Sequence, residues 1–264
     1  GVAIAFETIN GNFVNSGFIS GGIDGVTIRA NTITGSITND GTIIGGGLDT
    51  ALYVSAVSMT GNVVNNILLS AASNALHVNI GTLSGVVTNN GVIEATSGGT
   101  AVQLTIGNGT TFGNNGLIDG DVVFGTPSAI YSYAAGNGRI EGSLLGQGVG
   151  GNNNDTIVVN GTHSFTDGVA SNFSSFTVAN TGTALMGTLG FGGPSASAYG
   201  FTNVDTATVN GMLYIDQGTT LNVDTTYTQS AGGSLVFDLG APGGAGFSSL
   251  TGVQTAGAGD YGQL

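Results

Sequence analysis

The sequence predicts an all-β fold, a parallel β-helix (β-solenoid) with about three strands and roughly 24 residues per coil. Three observations predict it: a segment that recurs at a nearly constant step, apolar residues that alternate within each copy, and turn-forming residues between the alternating stretches. Side chains in a strand alternate with a two-residue period. Repeats of roughly 20 to 50 residues are typical of stacked architectures.

Four registered copies of the repeat occupy the first part of the chain. Their leading glycines step by 24, 26 and 24 residues, and one asparagine in each copy keeps the same steps. These positions are Gly11, Gly35, Gly61 and Gly85, with Asn15, Asn39, Asn65 and Asn89. A fifth copy, shortened at its start, runs from residue 113 to residue 141. We expect each copy to form one coil that pairs with the next.

Within each copy, three strands are expected to place their apolar residues in columns inside the solenoid. The predicted columns are Phe13, Ile37, Val63 and Val87; Ile19, Ile43, Leu69, Ile93 and Ile118; Val26, Leu52, Leu76, Val102 and Ile130, with Ile28, Val54, Val78 and Leu104 two places on; and Ile33, Met59, Leu83, Phe112 and Ile140. A column of small residues is predicted at Gly25, Ala51, Ala75, Ala101 and Ala129. Gly, Asn and Ser separate the strands, as residues that favour turns.

The organisation predicted from the sequence has two parts. Residues 1–145 form the regular repeat, and residues 146–264 are expected to continue the same β-helix with longer coils. In the second part the inward set is Val209, Leu213, Ile215, Leu221, Val223, Leu235, Phe237 and Leu239. A separate second domain is the less favoured alternative. An up-and-down barrel or a sandwich competes as an all-β fold, but neither predicts columns at a fixed step.

Composition excludes several classes of protein. The 264 residues include 50 glycines and only 2 Lys+Arg against 15 Asp+Glu, for a net charge of -13. Nucleic-acid binding is excluded because it needs cations at the phosphates. Disorder is disfavoured because 40% of the residues are hydrophobic and 3 are proline. The sequence has no cysteine, and no apolar run approaches the roughly 18 residues of a membrane-spanning helix.

Residues 211–240, GMLYIDQGTTLNVDTTYTQSAGGSLVFDLG, resemble the C-terminal part of the passenger of a bacterial autotransporter (type V secretion). The run YTQSAGGSL at residues 227–235 is the most specific part of this resemblance, and the repeats GxVxNxG and ALxV support it. The resemblance implies export by a signal peptide and passage through a C-terminal outer-membrane β-barrel translocator. It also implies that the passenger folds outside the cell, at the cell surface or after secretion.

The two ends of the sequence suggest a piece of a longer precursor. The chain opens on GVAIAFETIN, without an initiating methionine or a signal peptide, and its last residues, AGDYGQL, resemble the start of another coil. The barrel implied by the resemblance is therefore expected outside this sequence.

Candidate catalytic residues are few, and we predict that the chain is not an enzyme. Asp119 and Asp121, expected on one face of one strand, would hold a sugar or a cation, but a turn is the favoured interpretation. His163 and Ser164 are neighbours whose side chains should diverge on a strand, which disfavours a catalytic triad. Arg29, in a position equivalent to Ser55, is expected to point outward as a surface residue.

No metal site and no cofactor are predicted. Residues 150–155, GGNNND, look like one degraded copy of a Ca²⁺-binding nine-residue repeat. Such sites need stacked copies to complete the oxygen shell. Asp155 is therefore interpreted as a turn residue.

A ladder of outward residues is the predicted ligand site. Tyr53, His77, Gln103 and Tyr131, preceded by Thr27, are expected to lie one coil apart, about 4.8 Å, on one outer face. Tyr and His offer flat apolar faces with a polar tip, suited to sugar or protein contact. The alternative is that aromatic residues merely suit exposed strands.

Three functions follow. The favoured one is a surface rod in adhesion, aggregation or biofilm, with host or bacterial surface glycans or proteins as partners. The alternatives are a self-associating stalk or filament without its own ligand, and a polysaccharide-degrading enzyme on the same scaffold.

Overall fold

A computed structural model describes residues 1–47, 50–125, 129–146, 154–187, 199–216, 219–237 and 249–252. The predicted fold class is confirmed: the described chain is all-β, with parallel strands stacked as a β-solenoid of about 9 turns roughly 24 residues apart. No helix occurs in these ranges. The residues form two compact units, Gly1–Tyr131 and Ser132–Leu264. The division predicted at residues 145 and 146 stays a prediction.

The first unit repeats one long strand followed by two short strands. Its strands are β1 (Val2–Asn10), β2 (Phe13–Asn15), β3 (Phe18–Ser20), β4 (Val26–Thr34), β5 (Ile37–Asn39), β6 (Thr42–Ile44), β7 (Leu52–Thr60), β8 (Val63–Asn65), β9 (Leu68–Ala71), β10 (Leu76–Ser84), β11 (Val87–Asn89), β12 (Val92–Ala95), β13 (Thr100–Ile106), β14 (Thr110–Asn114), β15 (Leu117–Asp119) and β16 (Asp121–Phe124). β17 (Tyr131–Ala135) contains the boundary between the units.

Each strand of a coil pairs in parallel with its counterpart in the next coil, which gives three ladders in the first unit. The long strands β1, β4, β7, β10, β13 and β16 form one ladder. The other two ladders run from β2 to β14 and from β3 to β15. Such a stack buries its apolar residues against neighbouring coils, so no central globular core is needed.

The second unit has longer and less even coils. Its strands are β18 (Arg139–Glu141), β19 (Leu144–Leu145), β20 (Thr156–Val159), β21 (Thr162–Thr166), β22 (Val169–Val178), β23 (Thr183–Met186), β24 (Gly200–Val209), β25 (Met212–Ile215), β26 (Thr220–Gln229), β27 (Ser234–Phe237) and β28 (Ser249–Gly252). Val169 pairs with Gly200 and Gly200 pairs with Thr220, so successive steps are 31 and 20 residues.

The predicted columns are confirmed through the first four coils. Register pairs join Phe13 to Ile37, Ile19 to Ile43, and Val26 to Leu52, and the same columns continue upward. From Ile28 onward their members are buried. In the second unit, the inward residues from Val209 to Val223 are buried as predicted, Leu235 and Phe237 are half-buried, and Leu239 lies outside the described residues.

The fifth coil departs from the predicted register. Val102 pairs with Val122, so Ile130 leaves its predicted column and is exposed. Phe112 pairs with Val87 in the first column. The physical reason is that β13 ends early: the Asn108 side chain bonds both the N–H and the carbonyl of Leu83, each at 3.0 Å, where a strand residue would have paired.

Two further predictions for this region are wrong. Ile140 lies in β18 and pairs with Phe165, so it belongs to the third-strand ladder and not to the column of Ile33. Ala129 is half-buried and is not the continuation of the small-residue column. That position is taken by Gly120, where a Cβ atom would lie 3.1 Å from the Cβ of Ala101.

The repeated leading glycines have a backbone role. Gly35 lies in the bend between β4 and β5 with a φ of +139°, a region that side chains disfavour. A Cβ atom at Gly35 would overlap the carbonyl of Gly11, and one at Gly61 would overlap the carbonyl of Gly35. The coils therefore stack closely at this bend only when the residue has no side chain.

The repeated asparagines form a continuous hydrogen-bonded ladder inside the first unit. Each Nδ2 donates to the Oδ1 of the next asparagine, at 2.8 Å for the first three bonds and 2.9 Å for the fourth. The members are Asn15, Asn39, Asn65, Asn89 and Asn114, all buried. Each of the first four also donates to a carbonyl of the third strand in the next coil. The ladder thus fixes the register of a corner between strands.

Candidate functional site: the outer ladder

Four residues of the predicted ligand site form a ladder on the outer face of the long strands. Thr27 pairs with Tyr53, Tyr53 with His77, and His77 with Gln103. All four are half-buried, since their neighbours in the strand point inward. The two-residue period of the strand therefore places this part of the predicted site correctly.

Tyr131 is not part of this ladder. Gln103 pairs with Val123, and Tyr131 is fully buried. Its hydroxyl donates to the carbonyl of Ile106 at 3.0 Å and accepts from the same residue's N–H at 2.7 Å. Its ring stacks on Phe124 with centroids 4.7 Å apart. The shortened fifth coil is again the reason, because it moves Tyr131 away from the row that a 24-residue step would give.

Two ring contacts order the middle of the ladder. The Tyr53 and His77 rings meet edge to face, with centroids 5.0 Å apart and an interplanar angle of 61°. The guanidinium carbon of Arg29 lies 5.2 Å from the centroid of the Tyr53 ring. Both distances fall within the ranges at which such pairs attract. We call Arg29, Tyr53, His77 and Gln103 the outer ladder from here on.

Arg29 was recognised in the sequence only as an outward surface residue, and that placement is confirmed. It is exposed and pairs with Ser55, as expected. Its contact with Tyr53 was missed. The available signal was that Arg29 follows Thr27 by two positions, so it shares the outer face and lies diagonal to the next coil's tyrosine.

A short network holds the start of the ladder. The Thr27 hydroxyl donates to Asp24 Oδ2 at 2.6 Å, and the N–H of Thr50 donates to Asp24 Oδ1 at 3.2 Å. Asp24 therefore ties two successive coils together beside Tyr53. Its carboxylate is already engaged by these two donors.

The charge on the outer ladder is carried by Arg29. Burial lowers the pKa of His77, so its imidazole is neutral near pH 7. Arg29 is the only Lys or Arg of residues 1–131. In the described part of the chain it forms no ion pair. A single unneutralised cation therefore stands on the face of a chain with net charge -13.

An open depression of about 450 Å³ adjoins this cation. It is lined by Ala5, Phe6, Glu7, Arg29, Ala30, Asn31 and Ser55. Asn31 and Ser55 supply hydrogen-bonding groups, and Phe6, with 66% of its surface exposed, supplies an apolar ring. Such a combination of one ring, amides, hydroxyls and one charge suits a polar ligand with an apolar face.

The other acidic candidates do not form a site. Asp119 ends β15 and Asp121 begins β16, with Gly120 at a φ of +119° between them, so the two carboxylates do not share one strand. Asp155 is buried, and its carbonyl accepts from the N–H and the hydroxyl of Ser174. Most of residues 150–155 lies outside the described chain. No cluster of three His, Cys, Asp or Glu residues suited to a metal occurs in the described ranges.

His163 is a buried packing residue of the second unit, and its side chain diverges from that of Ser164, as expected. Its Nδ1 lies 3.3 Å from the Gly136 carbonyl, which can only accept, so Nδ1 carries the proton. Nε2 then accepts from the Tyr133 hydroxyl at 3.1 Å. The ring packs against Phe165 at 4.8 Å. Burial lowers the pKa of His163 to about 4, so the imidazole is neutral at pH 7.

Comparison of the chain with protein-family models, with curated proteins and with solved structures returned no match. Among the residues that the structure describes, no helix is long and apolar enough to cross a membrane.

Proposed function

We propose that this chain is a non-enzymatic rod of a bacterial autotransporter passenger that binds glycans or proteins of host or bacterial surfaces. The observation that carries the binding role is the outer ladder, where two aromatic rings and a cation meet on a face otherwise rich in Thr, Ser and Asn. Rings with polar edges are suited to sugars and to protein surfaces. The role would be adhesion, aggregation or biofilm formation.

The export route is supported by the resemblance of residues 211–240 to passenger C-terminal segments and by the solenoid architecture. Contacts between neighbouring coils are local, so folding can propagate coil by coil as a chain emerges from a translocator. The chain has no cysteine, so no disulfide can form and trap it before export. On this proposal the partner in export is a C-terminal outer-membrane β-barrel, and the location is the cell surface or the medium.

The test is binding of the purified chain to a glycan array and to whole bacterial and host cells. It is made alongside the double variant Tyr53→Ala/His77→Ala, which removes both rings of the outer ladder. We expect saturable binding by the wild-type chain and a loss of about tenfold or more in the variant. This follows because aromatic contacts dominate the energy of such surfaces.

The matched control is Thr38→Ala/Thr88→Ala, which removes two outward side chains of β5 and β11 from a different face of the same coils. Its binding should equal that of the wild type. Equal binding by the ladder variant and the wild type would move the site elsewhere. No binding by the wild type to any glycan or cell would overturn the proposal.

A self-associating stalk or filament is the second candidate, favoured by the apolar residues that the first coil exposes. Phe6 occupies the row that is buried at Ala56 and Ile80 in later coils, yet it is 66% exposed. A second copy stacked on this edge would cover it. Particle length that rises with protein concentration, and falls in Phe6→Ser, would support this candidate.

A further inference from the structure

We propose that Arg29 selects glycans that end in a single carboxylated sugar, with the carboxylate on its guanidinium and the sugar in the adjoining depression. The inference rests on the proposed function, since it names the ligand chemistry of the same outer face. The residues that carry it are Arg29 itself, Tyr53, Asn31 and Ser55.

The guanidinium is both held in place and free to bind. Tyr53 lies beneath it at 5.2 Å, and no carboxylate of the described chain pairs with it. By contrast, the other arginine, Arg139, is paired with Glu141 at 2.8 Å. An arginine fork matches a carboxylate in two parallel hydrogen bonds, and such charge-assisted bonds are stronger than neutral ones. Arg29 is therefore the group on this face best suited to an anion.

The depression beside Arg29 suits the remainder of a sugar. Ala5 pairs with Arg29 and Arg29 with Ser55, so these three side chains form one outward row. Asn31 lines the depression on one side, and the exposed Phe6 ring supplies an apolar surface. Hydroxyls of the ligand can bond the amide and the serine, and its C–H face can lie on the ring.

Charge limits the ligand to one carboxylate. Glu7 lines the same depression, and Asp24 lies at the start of the ladder. The net charge of -13 repels a polyanion along its whole length. Screening restricts these fields to about 8 Å at physiological salt, so a single terminal carboxylate mainly experiences Arg29. A polyuronate would place further charges against the acidic surface.

The experiment measures the affinity of the purified chain for matched glycan pairs by isothermal titration. The pairs are sialyllactose with lactose and cellobiouronic acid with cellobiose, and polygalacturonate is the polyanion. We expect at least one acidic member to bind about tenfold or more tighter than its neutral partner, with an advantage that shrinks as salt rises. Polygalacturonate should bind more weakly than the preferred acid. The two acidic probes identify which sugar acid is preferred.

Two variants separate the inference from the proposed function. Arg29→Gln should abolish the acidic preference and leave neutral binding within about twofold, whereas Arg29→Lys should retain part of the preference. Arg139→Gln, which removes the other arginine, is the matched control and should behave as wild type. Circular dichroism checks the fold of each variant.

The outcomes are distinct. Binding of the neutral sugars through Tyr53 and His77 without an acidic advantage would overturn the inference and leave the proposed function standing. An acidic advantage that survives in Arg29→Gln would also overturn the inference. Binding of none of the sugars would overturn the inference, and if the cell and array assays were also negative the proposed function would fail with it.

Discussion

Asn65 is the middle of the buried asparagine ladder and its side chain has partners on both sides. It accepts from Asn39 Nδ2 and donates to Asn89 Oδ1, each at 2.8 Å, and it donates to the Val92 carbonyl at 3.0 Å. Removing it leaves a buried donor and buried acceptors without partners, at about 1–3 kcal/mol for each group. We expect Asn65→Ala to lower the free energy of unfolding by about 3 kcal/mol, measured by urea titration.

The next residue offers a matched control. Asn66 bonds Asp40 at 2.6 Å and accepts from Asn90 at 2.8 Å, but these bonds lie at the surface, where water can replace them. Asn66→Ala should cost less than about 1 kcal/mol. Equal losses in the two variants would show that the buried ladder adds nothing beyond its surface counterpart.

His163 should make the stability of the second unit depend on pH. Its pKa is about 4 in the folded chain against 6.5 for the unfolded reference, so between these values the unfolded state binds more protons. Its contribution is therefore fully present above about pH 6.5 and is lost as the pH falls toward 4. At 1.36 kcal/mol per pKa unit, the loss from pH 7 to pH 5 is about 2 kcal/mol.

The measurement is the urea midpoint at pH 7 and pH 5 for the wild type, His163→Gln and His77→Gln. The pH-dependent loss should disappear in His163→Gln and persist in His77→Gln, whose half-exposed ring is the control. An unchanged pH response in His163→Gln would mean that buried carboxyl groups, and not this imidazole, govern the response.

At the scale of the strands, the column of small residues sets how closely the coil corners approach. Ala51, Ala75 and Ala101 are fully buried, and a Cβ atom at Gly25 would lie 2.5 Å from a methyl group of Ile43. Ala75→Phe would force a ring into this column. Overpacking of this kind typically costs 1–3 kcal/mol and more where the backbone cannot move, so we expect a loss of about 3 kcal/mol or more.

The melting temperature of Ala75→Phe, compared with Val57→Phe, checks this prediction. Val57 is 66% exposed on β7, so a larger side chain there projects into solvent. Val57→Phe should melt close to the wild type. Unchanged melting of Ala75→Phe would contradict the tight column.

At the scale of the whole molecule, the proposed export route makes folding of the second unit a condition of display. Leu235 and Phe237 of β27 pair with the buried Leu213 and Ile215 of β25. Leu235→Asp/Phe237→Asp would place two charges in this stack, so we expect display on bacteria to be abolished. The assay fuses the chain to an autotransporter barrel and measures surface antibody staining.

The opposite face of the same strand supplies the control. Ser234 is exposed and Val236 is 38% exposed, so Ser234→Asp/Val236→Asp adds the same two charges toward solvent. Its display should match the wild type. Equal display of the two double variants would sink the idea that folding of this segment supports secretion.

The sequence by itself determined the fold class, the step of the first four coils and the faces of their strands. Two-residue alternation assigns each side chain to the inside or the outside, and a fixed step brings equivalent residues together in adjacent coils. Tyr53, His77 and Gln103 could therefore be placed on one outer face without coordinates. The asparagine repeat was visible too, although its bonding was not.

Only the tertiary structure decided where the step changes and what crosses between rows. A 24-residue step put Tyr131 on the ladder, but β13 ends early and buries this tyrosine against Phe124. The contact of Arg29 with Tyr53 depends on rotamers in two different coils, which periodicity does not specify. Coil length is set by loops whose closure costs little more when they lengthen, so a repeat pattern predicts strands better than their spacing.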